Sequence, residues 1–137
     1  MRGHHLFCAI LLIAACGHKT SDQKLLEAAE LAASWSATLQ MTAETWLANS
    51  VPRSFVRATV GAANKAFDQT GKDVAQSQAR PELRDAIKRQ LDLAQATSGD
   101  LERALGKNDR VVVAGCARRF AAVHSALQQL EDQKDNR

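Results

Sequence analysis

The placing of its helix breakers is the feature that most constrains how this chain can fold. Both prolines and the main loop-forming clusters fall at three places, residues 49–52, 80–81 and 105–109. These breaks divide residues 22–133 into four stretches of about 24–28 residues, each about 36–40 Å long as a helix at 1.5 Å per residue. Four stretches of matched length with short connections predict an all-α, four-helix up-and-down antiparallel bundle.

The composition favours helix as well. Alanine supplies 25 of the 137 residues, tyrosine is absent, and there are only 7 glycines and 2 prolines. Sequences rich in Ala, Leu, Gln, Glu, Lys and Arg and poor in β-branched residues favour helix over sheet. An all-β fold is therefore excluded, and the length fits one domain.

Apolar residues recur at intervals of three and four in each stretch, as the buried face of a helix requires. The fourth stretch has the clearest stripe: Val113, Cys116, Phe120, Val123, Leu127 and Leu130. The first has Leu25, Ala28, Ala32, Trp35, Leu39, Thr42 and Trp46; the second has Val56, Val60, Ala63, Phe67 and Val74; the third has Leu83, Ala86, Ile87, Leu91, Ala94, Leu101 and Leu105. Counting residues from the ends of the bundle predicts that Trp35 and Phe120 share a core layer.

Several local signals predict where the helices begin and end. Residues 20–23, Thr-Ser-Asp-Gln, have the spacing of a capping box. Pro52 and Pro81 suit the first turn of a helix, and Gly106 suits the position just past a helix end. Residues 97–100, Thr-Ser-Gly-Asp, are a candidate break in the third stretch. Residues 111–113, three valines, also fit a strand, but they have no obvious partner strand.

The first 16 residues differ from the rest of the chain. A short basic region with Arg2 is followed by an apolar run that ends at Cys16. The apolar run from Leu6 to Cys16 has 11 residues, whereas a membrane-spanning helix needs about 20. The segment is therefore predicted to be an export signal.

The sequence Ile13-Ala14-Ala15-Cys16 resembles the lipobox of bacterial lipoproteins. The resemblance covers the N-terminal segment alone. It implies that the Cys16 thiol receives a diacylglyceryl group, that the chain is cut before it, and that the new amine is acylated. A plain signal peptide and a buried apolar segment are the alternative interpretations.

The resemblance also implies a domain organisation and a location. Residues 1–15 are the signal peptide, residues 16–21 the lipidated cysteine and tether, and residues 22–137 the helical bundle domain. Several acyl chains on Cys16 would anchor the protein stably to membrane lipid. In lipoproteins of Gram-negative type an aspartate after the cysteine retains the protein at the inner membrane. If the source is Gram-negative, Gly17 therefore implies the periplasmic face of the outer membrane.

The sequence offers little catalytic chemistry. After the signal only His18 and His124 are available as acids, bases or metal ligands near neutral pH. No nucleophile-elbow, C-x-x-C, H-E-x-x-H, phosphate-loop or EF-hand pattern occurs. We therefore predict that the protein is not an enzyme and has no cofactor, catalytic residue or metal site. Cys116 lies on the apolar stripe, so it is expected to be a buried, inert thiol, and His124 is expected at the edge of the core.

Haem binding is a more specific hypothesis, since some four-helix cytochromes use a methionine on the first helix and a histidine on the last. Here those residues are Met41 and His124. In an antiparallel bundle their levels differ by about 15 Å, too far to share one iron. The covalent haem motif C-x-x-C-H is absent around Cys116.

The charge pattern gives no sign of a nucleic-acid partner. The 18 basic and 15 acidic residues are interspersed, although Arg53 with Arg57 and Arg84 with Lys88 each share a helix face. We predict a lipid-anchored envelope protein that acts as a binding or accessory module for an unknown envelope protein partner. The alternative is a helical-bundle carrier of a small ligand, metal or haem in the periplasm.

Overall fold

Four α-helices make up the computed structural model, which describes residues 19–135. They are α1 (Ser21–Leu47), α2 (Arg53–Gln76), α3 (Pro81–Lys107) and α4 (Arg110–Asp135), and no strand occurs in the described range. Each helix packs on the next in chain order, α4 closes the ring against α1, and α1 also touches α3 across the centre. The predicted four-helix bundle is confirmed, and residues 111–113 are helical.

The start of α1 is fixed as its sequence predicts. Thr20 is the N-cap, and its hydroxyl oxygen accepts a hydrogen bond from the backbone N–H of Gln23 at 3.2 Å. The Gln23 side-chain oxygen accepts in return from the backbone N–H of Thr20 at 3.0 Å. The capping box is confirmed, and it satisfies two backbone donors at this helix end.

Of the three other expectations about helix ends, one is confirmed and two need correction. Pro81 is the first residue of α3 as expected, whereas Pro52 is the N-cap of α2 rather than a member of its first turn. Gly106 lies inside α3, and Asn108 ends that helix with a left-handed φ of 53°. Asparagine tolerates this conformation because its short polar side chain hydrogen-bonds locally.

The candidate break at residues 97–100 does not occur, because α3 runs through these residues without interruption. Thr97 and Ser98 are each about 1% exposed, and Thr97 donates its hydroxyl hydrogen to the carbonyl of Leu93 at 2.7 Å. Packing against the other helices therefore outweighs the weak helix preference of these residues.

The apolar stripes form one continuous core. All the stripe residues are buried except Ala28, Trp35, Ala86 and Leu130, which are half-buried. Helix α1 buries ten residues, because it contacts all three other helices. Most of these are small, so neighbouring helix axes can approach closely. The ten are Leu25, Leu26, Ala29, Ala32, Ala33, Ser36, Leu39, Thr42, Ala43 and Trp46.

A hydrogen bond sets the register between α1 and α4. The ring nitrogen Nδ1 of His124 lies 3.0 Å from the carbonyl oxygen of Ala33. Antiparallel counting from that pair places Trp35 within about 3 Å of the level of Phe120 along the axis. Phe120 is fully buried, whereas Trp35 is half-buried at the edge of the core. The two rings share a level, but only Phe120 lies at the centre.

Candidate functional site

The larger of two surface grooves beside the start of α1 lies at the end of the bundle where α1 and α3 begin and α4 ends. It encloses about 680 Å³, and its apolar floor includes Leu26 and Leu83, each 7% exposed, and the half-buried Leu130. Its rim is polar and charged. The lining residues are Thr20, Asp22, Gln23, Leu26, Arg80, Glu82, Leu83, Ala86, Leu130, Gln133 and Lys134.

An ion pair spans the rim of this groove. The Arg80 side chain donates from Nε to an Asp22 carboxylate oxygen at 2.6 Å, and the Arg80 backbone N–H donates to the other oxygen at 3.0 Å. These hydrogen bonds from Arg80 hold the pKa of Asp22 below its ordinary value. The pair is largely solvated, so it contributes little to stability, but it fixes the start of α1 against the start of α3.

A second groove of about 450 Å³ lies on the other side of α1, against the end of α2. Its lining includes Ser21 and Lys24 from α1 and Asp73 from α2. Both grooves therefore flank the first turns of α1, close to where the chain leads back to Cys16. Sequence reasoning did not find either groove, because each is lined by residues from helices that are distant in the chain.

Cys116 lies on the buried face of α4 and is 0% exposed, as its stripe position predicts. A side-chain nitrogen of Arg119 donates to its sulfur at 3.4 Å, and another nitrogen of Arg119 bonds the Asp100 carboxylate at 2.7 Å. Arg103 also pairs with Asp100. Burial raises the pKa of the Cys116 thiol, and the Arg119 charge opposes that shift. The thiol therefore stays protonated and covered.

We expect a thiol reagent to label Cys116 slowly in the native protein and rapidly in denaturant, because burial suppresses both access and thiolate formation. Cys116→Ala should lower the free energy of unfolding by about 1–2 kcal/mol, since the side chain is small. Timed labelling of a protein whose other cysteines are replaced by serine, followed by mass spectrometry, measures the rate. Fast native labelling would show that Cys116 is an accessible, reactive thiol.

His124 and Met41 do not come together. His124 is half-buried, as expected, and bonds the carbonyl of Ala33, eight residues before Met41 in α1. Eight residues correspond to about 12 Å along the axis, and the Met41 side chain is 61% exposed. His124 also lies two turns from Cys116. Among residues 19–135 no group of three or more His, Cys, Asp or Glu residues could hold a metal ion.

The basic faces expected from the sequence are partly neutralised by acids. Lys88 pairs with Asp92 at 2.7 Å. Arg84 donates to the carbonyl of Ser77 at 3.4 Å. Arg53 and Arg57 stay exposed near the start of α2. Cys16, His18 and the predicted signal peptide, residues 1–15, lie outside the described residues.

Comparison with known proteins identifies no relative of this chain: no family model, no curated protein and no solved structure matches it. None of the four described helices is long and apolar enough to cross a membrane.

Proposed function

We propose that this protein is a lipid-anchored module of the bacterial envelope that works by binding other molecules. The observation that carries the proposal is the short distance along the chain between Cys16 and the bundle. Helix α1 is capped at Thr20, so three residues, 17–19, lie between the lipobox cysteine and the N-cap of the helix. The four steps along the chain from Cys16 to Thr20 span at most about 14 Å, which would hold the grooved end of the bundle near the membrane surface.

The absence of catalytic signatures in the sequence supports binding rather than catalysis. The two grooves beside the start of α1 offer a binding surface for an envelope partner at that end. A lipidated protein with Gly17 after the cysteine would face the periplasm from the outer membrane if the source is Gram-negative.

Cys16→Ser tests the anchor, because only a thiol can form the thioether to the diacylglyceryl group. We expect the variant to incorporate no labelled palmitate. We also expect no mature protein in the detergent-soluble membrane fraction. Cys8→Ser is the matched control, since it removes a cysteine from the same segment without touching the lipobox. Equal labelling of the Cys16→Ser variant and the wild-type protein would contradict the proposal.

A second candidate function is to carry a small ligand, and the larger groove is the observation that favours it. Its volume of about 680 Å³ lies within the range of roughly 300–1,000 Å³ typical of ligand sites. Its apolar floor and charged rim suit an amphipathic molecule. Native mass spectrometry, a visible absorption spectrum and metal analysis of the purified protein test this function. A protein that carries no bound molecule from cell extracts would count against it.

A further inference from the structure

The end of the bundle opposite the grooves has a distinct charge. We call it the distal cap and define it as residues 48–57 and 105–114, which include the turns between α1 and α2 and between α3 and α4. The distal cap has four cations, Arg53, Arg57, Lys107 and Arg110, and one carboxylate, Asp109, for a formal charge of +3. The rest of residues 19–135 has a formal charge of −2. Positive charge is therefore concentrated at this end.

No carboxylate within residues 19–135 forms an ion pair with a cation of the distal cap. Arg110 instead lies over the ring of Trp46 at 5.3 Å and donates to the carbonyl of Leu47. Asp109 accepts from the backbone N–H of Val112 at 3.1 Å and so caps the start of α4. The side chains of Arg53, Arg57 and Lys107 are exposed to solvent.

Large apolar side chains are exposed at the same end. Phe55 is 51% exposed, Val111 is 80% exposed and Val112 is 38% exposed. These exposed side chains lie at the end of the bundle opposite the two grooves. Protruding apolar side chains among arginine and lysine suit the boundary between lipid headgroups and acyl chains.

We propose that the distal cap binds the anionic surface of a lipid bilayer. Arg53, Arg57 and Lys107 would contact phosphate groups, and Phe55 and Val111 would enter the headgroup region. Anionic lipid is the occupant that the cap's charge and its protruding apolar side chains both favour. The inference depends on the distal cap alone and can fail without the lipid anchor failing. In a chain anchored at Cys16 the cap lies about 40 Å from the anchored end of α1, so the bilayer that it binds would be a second one facing the anchoring membrane.

Vesicle co-sedimentation of the purified full-length chain tests the proposal. Vesicles of phosphatidylcholine alone are compared with vesicles that also contain phosphatidylglycerol. We expect binding that depends on phosphatidylglycerol and that falls as salt screens the charges. The N-terminal segment, with Arg2 and its apolar run, would add binding of its own to both kinds of vesicle, so the deciding quantity is the difference between the wild-type chain and the cap variants, which share that segment.

Matched variants locate the binding surface. Arg53→Gln with Lys107→Gln removes two cap charges, and we expect it to lower the phosphatidylglycerol-dependent affinity by a factor of about 25, or about fivefold for each cation. Lys65→Gln with Lys72→Gln removes the same charge from exposed positions on α2 outside the cap and should change the affinity less than twofold. Phe55→Ala should weaken binding severalfold, whereas Leu31→Ala, at a side chain 47% exposed elsewhere, should not.

All four variants change exposed side chains, and circular dichroism confirms that each is folded before binding is measured. Equal losses in the cap and control variants, or no dependence on phosphatidylglycerol, would overturn the proposal. Binding to polyglutamate is measured alongside binding to vesicles, because polyglutamate represents an acidic protein surface. Cap-dependent binding to polyglutamate without binding to anionic vesicles would overturn it in favour of an acidic protein surface.

Discussion

Replacing Phe120 by alanine is expected to lower the free energy of unfolding by about 3–5 kcal/mol. The ring is 0% exposed in the centre of α4, and it belongs to the continuous core between the four helices. Its removal takes away apolar burial and leaves a cavity that close-packed helices cannot fully collapse. Urea unfolding followed by tryptophan fluorescence measures the loss, since Trp46 is buried in the same core.

Phe55→Ala is the matched control for that experiment. It makes the same chemical change at a ring that is 51% exposed, where little apolar area is buried and no enclosed cavity forms. We expect a change well under half of the Phe120→Ala effect. Similar losses at the two positions would contradict the assignment of Phe120 to the centre of the core.

Replacing Ala32 by leucine is expected to cost about 1–3 kcal/mol, although leucine is also a strong helix former. Ala32 is 0% exposed in α1, among the small residues that let this helix contact its three neighbours. Three extra carbon atoms there require the helices to separate or a side chain to leave its preferred rotamer. Thermal and urea unfolding both measure the loss.

Ala58→Leu is the control for the added volume. Ala58 is exposed on α2, so leucine meets solvent there and the expected change is within about 0.5 kcal/mol. If Ala32→Leu were as stable as the wild-type protein, the close packing around α1 would be wrong.

The fold was predictable from the sequence because its strongest signals are local. The stripe from Val113 to Leu127 and the capping box at Thr20 depend only on residues within a few turns of each other. The end of α3 was not predictable in detail, because Asn108 and Gly106 are both able to end a helix and tertiary packing decides between them. The continuity of α3 around Thr97 was not predictable, because the burial of this stretch is visible only in the folded bundle.

The surface features needed the structure. The larger groove joins Asp22 and Arg80 with Lys134 near the other end of the chain, and no short pattern links such positions. The distal cap likewise joins two turns that are more than 50 residues apart, so interspersed charges in the sequence become a concentration of positive charge in space. The buried setting of Cys116 was predictable, whereas its contact with Arg119 depends on the pairing of α3 with α4 through Asp100.

The most direct test of the proposed function is the intact mass of the protein extracted from membranes. If the chain is a lipid-anchored module, it begins at Cys16, contains the 122 residues through Arg137, and has the added mass of a diacylglyceryl group and an amide-linked acyl chain. Fragmentation should place that added mass on Cys16. A 137-residue chain without added lipid, or a shorter chain that begins elsewhere with a free amine, would contradict the anchor and the function built on it.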